Sequence, residues 1–232
     1  MVRKIYWEDA YVREFDAKVE KVEGSKVYLD QTAFHPKGGG LLGDSGSLGG
    51  ARVTDTQKEG ESSIFHVVEG GSFEPGESVH GVVDWERRYR IMRMHTTAHA
   101  LSAVFNRQAG ALITGNQIRP DESRIDFSLE NLDRNLMNSY VDMVNEAVSR
   151  NLPVKTYFLP REEAVKIPDV VKLAGAAPPD IETFRIVEIE GLDIQADGGV
   201  HVKNLGEVVK VTPLKFENKG KSNRRLYFTL EG

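Results

Sequence analysis

The chain has 232 residues, 40% of them apolar and 28% charged, with a formal net charge of -5 and no cysteine. This is the composition of an ordinary soluble globular protein with room for one large domain or two modest ones; it excludes disulfides, thiolate metal ligands and a cysteine nucleophile. The negative balance argues against a protein that coats nucleic acid without selectivity, since such binding rests on Lys and Arg neutralising phosphates.

The opening MVRKIYWEDAYVREF puts acids where a secretory leader would carry its apolar core, and no apolar run approaches the ~18 residues of a bilayer span, so a cytoplasmic location is expected. To about Trp85 the chain alternates short strand-like segments (DAKVEKV, KVYLD, ARVTDT, HGVVDW) with clusters of Gly, Ser and Asp. Glycine is dense here: Gly38, Gly39 and Gly40 in a row, then Gly43, Gly46, Gly49 and Gly50, as suits tight turns and bulges in a small β-barrel. From Asp84 the period changes. Ile91, Met94, Ala98, Leu101 and Phe105 lie on one face of a helix, followed by a strand pair in ALITGNQIRPDESRIDFSLE with PDES as its turn. A second helix is expected in NLDRNLMNSYVDMVNEAVSRN, with Asn131 as N-cap and Leu132, Leu136, Tyr140, Met143 and Val144 on its apolar side. The remainder reads as strands in PVKTYFL, FRIVEIE, VVKVTPLKF and RRLYFTL, with a short acidic helix in PREEAVKI. The expected fold class is α+β: an N-terminal small β-barrel over residues 1–86, then an α+β domain over residues 87–232 whose antiparallel sheet is packed by helices.

Histidine carries the chemistry. Only six are present, and His95 and His99 stand four apart on the first helix, so both imidazoles leave one face about a turn apart. About a hundred residues later ADGGVH sets Asp197 and His201 four apart around two glycines, where a sharp backbone turn brings a carboxylate and an imidazole toward one point. Together His95, His99, Asp197 and His201 form a candidate ligand set for one metal ion per chain. Zinc suits it best, and the carboxylate makes another divalent transition metal acceptable. Four protein ligands describe a closed structural site unless one of them yields, and there is no HExxH motif to supply a general base.

Five ordered stretches resemble the editing domain of alanyl-tRNA synthetase and the free-standing AlaX group that shares it: LDQTAFHPKGGGLLGDSGSL, DWERRYRIMRMHTTAH, GNQIRPDESRIDF, DIQADGGVHVKNLGEV and KGKSNRRLYFTL. The fold implied is the threonyl/alanyl-tRNA synthetase editing-domain type. Three positions depart from the family pattern: Asp197 stands where the family usually has Cys, Val200 where it has Thr, and Leu205 where a Thr commonly precedes GE. The resemblance implies an ATP-independent trans-editing hydrolase, a metal-dependent aminoacyl-tRNA deacylase that cleaves the ester on alanine tRNA mischarged with serine or glycine and so serves translation fidelity. It makes His95, His99, Asp197 and His201 the catalytic and metal residues, and the glycine loop Gly38, Gly39, Gly40 with Asn116 and Gln117 the candidates for holding substrate. Arg87, Arg88, Arg90, Arg93, Lys219, Lys221, Arg224 and Arg225 are the candidates for tRNA phosphates. Two other readings stay open: a tRNA-binding module with a structural metal, and a metallohydrolase of a different ester or amide. Oligomeric state is left open.

Overall fold

A computed structural model describes residues 2–60, 63–131, 133–168, 170, 172 and 181–232. The chain divides into two compact units, Met1–Ile91 and Met92–Gly232. It is a mixed α+β protein with mostly antiparallel sheets.

Unit 1 runs β1 (Arg3–Lys4), α1 (Ile5–Glu8), β2 (Glu14–Glu23), β3 (Lys26–Leu29), β4 (Gln31–Thr32), β5 (Gly46–Leu48), β6 (Ala51–Glu59), β7 (Ser63–Glu69) and β8 (Ser78–Val83). Strands β1 and β4 form a short parallel pair. The six longer strands pair in a closed ring, β2-β3-β7-β6-β5-β8, with every pairing antiparallel. The period-2 alternation of DAKVEKV has its physical cause here. Phe15, Ala17 and Val19 of β2 point inward and pack with Val27, Leu29, Phe34, Leu48, Val53 and Val79, while the residues between them face solvent. Bulges between Val19 and Lys21 and between Val53 and Asp55 bend the longest strands.

Buried polar side chains of unit 1 are held by partners inside it. The Arg88 guanidinium is fully buried; it pairs with the buried Asp44 carboxylate and donates to the carbonyls of Ala10 and Ala33. Asp44 also accepts from the His35 amide. His66 faces the Val27 carbonyl through Nδ1 at 3.0 Å and Thr32 Oγ1 through Nε2 at 2.9 Å. A carbonyl only accepts, so Nδ1 carries the proton and Nε2 accepts from the Thr32 hydroxyl, which in turn accepts from the Phe34 amide. Burial pushes the His66 pKa down to about 4. The unfolded chain takes up a proton near pH 6.5 and the folded one resists it, so the stability owed to neutral His66 is complete above pH 6.5. It is lost as pH falls toward 4, a cost of about 3 kcal/mol. Denaturant titrations at pH 7 and pH 4 should show that loss, and a His66→Gln chain should lose less between the same two points. Equal losses in the two proteins would contradict the assignment.

Helix α2 (Trp85–Ala109) holds the boundary between the units. The five residues of its expected apolar face are all buried, and so is every other position over residues 91–105. Small side chains at Thr96, Thr97, Ala98, Ala100, Ser102 and Ala103 leave room for that close packing.

Unit 2 continues with β9 (Ile113–Gln117), β10 (Ser123–Phe127), α3 (Arg134–Ser149), β11 (Val154–Pro160), α4 (Arg161–Ala164), β12 (Thr183–Ile189), β13 (Asp193–Ala196), a 3-10 turn (Leu205–Val208), β14 (Val211–Asn218) and β15 (Arg224–Leu230). Where the sequence suggests one antiparallel sheet there are two, ordered β14-β15-β10-β9 and β11-β12-β13. Phe105 of α2 stacks on Phe127 of β10 with ring centroids 4.2 Å apart and meets Tyr140 of α3 edge-on, which ties α2 and α3 to the first sheet.

The second helix starts later than the sequence suggests. Asp133, not Asn131, is the N-cap, accepting from the amides of Asn135 and Leu136. Its buried stripe is Met137, Tyr140, Val141, Val144, Ala147 and Val148, so the expected face is rotated and Leu136 and Met143 are exposed; Leu132 lies outside the described residues. Among the described residues no helix is long and apolar enough to cross a membrane.

Candidate metal centre

His95 and His99 project from the middle of α2 (Trp85–Ala109), one turn apart, with ring centroids 5.0 Å apart and planes perpendicular. Asp197 follows the end of β13, and the chain then turns through Gly198 and Gly199 to bring His201 back onto the same point. The four ligand-type atoms lie within 4.8 Å of one another. A Cβ at Gly199 would stand 2.6 Å from His95 Cε1 and 2.9 Å from Asp197 Oδ1, so glycine here is a requirement of close approach. Arg185 of β12 fixes this loop: its guanidinium donates to the carbonyls of Asp197 and Gly199, each at 2.9 Å, and its own carbonyl accepts from the Asp197 amide.

Each imidazole presents the same nitrogen inward. Nδ1 of His95 faces the Val200 carbonyl at 3.3 Å, Nδ1 of His99 faces Asp193 Oδ2 at 3.0 Å, and Nδ1 of His201 faces Thr96 Oγ1 at 3.1 Å. The carbonyl and the carboxylate only accept, which puts a proton of His95 and His99 on Nδ1; at His201 the Thr96 hydroxyl can accept from Nδ1, which leaves Nε2 for a metal, or donate to it, in which case Nε2 donates to Asp197. The three Nε2 atoms then point at the Asp197 carboxylate, at 3.7 Å for His95, 3.9 Å for His99 and 3.2 Å for His201. A tetrahedral zinc ion with bonds of about 2.0–2.1 Å spaces its ligand atoms roughly 3.3 Å apart, close to these separations. Outer partners that hold Nδ1 and free Nε2 are how histidine ligands are oriented, so the residues present fit a metal ion. The imidazole side chains are 1–8% exposed and the Asp197 side chain 22%, which puts the accessible side of the cluster at the carboxylate.

The electrostatics favour positive charge at the centre. Burial pushes His95 down to about 4, against the pull of Asp197, and drives His201 well below the ordinary imidazole value, so both rings are neutral donors of a lone pair. At His99 burial opposes the charge too, but Asp193 and Asp197 outweigh it and raise the ring to about 9. Burial would raise Asp197; the surrounding imidazoles instead hold it well below the usual carboxylate range.

The pattern of separate matches along the chain agrees with this site. The family described as threonyl and alanyl tRNA synthetase second additional domain matches residues 184–227, which include Asp197 and His201, and the one described as tRNA synthetases class II (A) matches residues 7–87. The alanyl-tRNA editing protein AlaX-M of Saccharolobus solfataricus is 47% identical over 100% of both chains. The chain belongs to the AlaX-M family of alanyl-tRNA editing proteins. The AlaX-M protein of Methanosarcina barkeri is 43% identical over 99% of each chain. The alanine--tRNA ligase of Pyrobaculum calidifontis is 39% identical over 98% of this chain, which spans 26% of that longer protein.

Other residues singled out in this AlaX-M family chain fare differently. Gly38 and Leu41 exchange backbone hydrogen bonds across Gly39 and Gly40, whose φ values of 60° and 91° make a two-residue hairpin turn that only glycine enters at low cost. Asn116 and Gln117 are half-buried on β9, and Gln117 accepts from Arg124. Three of the arginines expected to reach tRNA are buried and internally committed. Arg88 is the clamp described above; Arg93 donates to the carbonyls of Val208, Glu231 and Gly232; Arg224 donates to the Asn218 side chain and to the carbonyls of Glu130, Gly220 and Asn223. Their run in the sequence resembles a basic face, but their guanidinium groups are turned onto acceptors within the protein, the Asp44 carboxylate, the Asn218 side chain and backbone carbonyls. Of the rest, Arg87 donates to the Gly43 carbonyl, Arg225 grips Asp126 through two hydrogen bonds, Lys219 pairs with Glu217, Arg90 is half-buried and Lys221 is exposed. Sequence reasoning missed Asp193, Thr96 and Arg185, which hold the ligand residues from outside, and Lys172, which pairs with Asp193. The only local signal is polar residues inside otherwise apolar stretches.

Proposed function

We propose that this chain is a trans-editing deacylase that hydrolyses the ester between a wrong amino acid, serine or glycine, and the terminal ribose of alanine tRNA. The observation that carries the reading is the convergence of three Nε2 atoms and one carboxylate on a single point in a chain matched over its whole length by an alanyl-tRNA editing protein. In the reaction water adds to the acyl carbon, the ester C–O bond breaks, the ribose oxygen takes up a proton given up by the water, and the free amino acid leaves. His95, His99, Asp197 and His201 would hold one zinc ion, which supplies Lewis acidity to a water or to the substrate's polar groups. Thr96, Asp193 and the Val200 carbonyl keep the imidazoles oriented, and the partly exposed Asp197 is the ligand best able to yield space to substrate. The six-stranded ring is read as the small β-barrel domain and unit 2 as the metal-binding editing domain. The turn at Gly38, Gly39 and Gly40, with Asn116 and Gln117, is assigned to substrate, and Arg87, Arg90, Lys219, Lys221 and Arg225 to tRNA phosphates in the cytoplasm.

A second site is needed because a pocket built for alanine separates it from glycine and serine poorly; a methyl-sized difference is worth only ~1–3 kcal/mol. Purified, zinc-loaded protein mixed with seryl-, glycyl- and alanyl-tRNA of the alanine system should release serine fastest and leave alanine in place. Equal inertness toward all three, with tRNA still bound, would favour a binding module around a structural metal.

A further inference from the structure

We infer that Asp193, held by Lys172 and Gln195, is the positioning residue that sets the tautomer and direction of His99 and thereby the metal affinity of the site. The inference rests on the metal reading of the quartet. Asp193 begins β13, four residues before Asp197, and its side chain is wholly buried. Both carboxylate oxygens are in use. Oδ2 accepts from His99 Nδ1 at 3.0 Å and from Gln195 Nε2 at 2.8 Å; Oδ1 accepts from the Lys172 ammonium at 2.7 Å, which also donates to the Ile194 carbonyl at 3.2 Å.

The arrangement is directional. Three donors surround Asp193, so it presents only acceptors, and a carboxylate facing Nδ1 forces the His99 proton onto that nitrogen. In the neutral ring Nε2 then carries the lone pair and points toward Asp197. Lys172 balances the charge of Asp193, so the pair can be buried and remain ionised. Among the described residues Asp193 is the sole carboxylate facing an Nδ1 of the quartet; Val200 offers a carbonyl and Thr96 a hydroxyl. A charged acceptor holds an imidazole more tightly than a neutral one.

The chemistry of asparagine separates orientation from simple packing. In Asp193→Asn the single oxygen can serve Lys172 or His99 but not both. The ammonium claims it, the amide nitrogen then donates to His99 Nδ1, and the ring proton moves to Nε2, where it blocks a metal. In the double variant Lys172→Met with Asp193→Asn, nothing competes for the oxygen, which returns to His99 and Gln195. A cavity of about 410 Å3 lined in part by Asn106, Arg107, Lys172, Leu192 and Asp193 borders this pair, so methionine can be taken up without overpacking.

The experiment is titration of the full chain with zinc alone against a chromophoric chelator, repeated with cobalt to read the absorption bands of the ligand set. Asp193→Asn should bind zinc about 10–100-fold more weakly than the natural chain, and the double variant should regain most of that loss, with cobalt bands close to those of the natural chain. Natural affinity in Asp193→Asn, or equal loss in the single and double variants, would overturn the positioning role. Failure of the unaltered chain to bind zinc or cobalt would instead overturn the metal reading beneath it.

Discussion

An Asp197→Ala chain should be purified with far less than one zinc per chain and should deacylate seryl-tRNA more than about 100-fold more slowly than the unaltered protein. The carboxylate faces all three Nε2 atoms, so its removal leaves three imidazoles with no anion to balance a divalent cation. The expected loss therefore exceeds the 10–100-fold typical of changes among the outer partners of a metal site. Asp197→Cys is the informative companion. It exchanges the carboxylate for a thiolate, and a soft sulfur should raise the preference for zinc over manganese. Metal analysis and single-turnover deacylation on the same preparations check both. Full activity in a metal-free Asp197→Ala protein would remove the quartet from the reaction.

The second large effect belongs to stability. Arg88→Met should destabilise the protein by about 3–5 kcal/mol, because it leaves the Asp44 carboxylate buried without its counter-charge and strips donors from the Ala10 and Ala33 carbonyls. Lys221→Ala, at an exposed position on the turn between β14 and β15, should change stability by no more than about 0.5 kcal/mol. Denaturant unfolding of the two variants beside a tRNA-binding measurement distinguishes a clamp from a phosphate contact. If Arg88→Met unfolds like the natural chain and only tRNA affinity falls, the arginine acts on the surface after all.

These two experiments mark where local pattern stops being informative. The four converging side chains were legible in the sequence because their geometry is local in pairs: two histidines one helical turn apart, and an aspartate and a histidine across a glycine turn. The strands of unit 1 were legible for the same reason, since alternation along β2 reports a face that must be buried whatever lies opposite. The glycines at 39 and 40 also declared themselves, because a left-handed turn restricts residue type on the spot.

Arg88, Arg93 and Arg224 were misread because charge alone predicts solvent. What buries a guanidinium is a set of remote acceptors, and those that receive Arg93 lie more than a hundred residues away in the chain. The register of α3 slipped because its buried stripe depends on which face β14 and the 3-10 turn present, not on its own period. Composition and short-range spacing by themselves determined the α+β class, the strand-rich first unit and the identity of the converging residues. Only the tertiary structure decided which imidazole nitrogen faces inward, through Asp193, Thr96 and the Val200 carbonyl, because a tautomer is set by an acceptor that the fold must bring from about a hundred residues away.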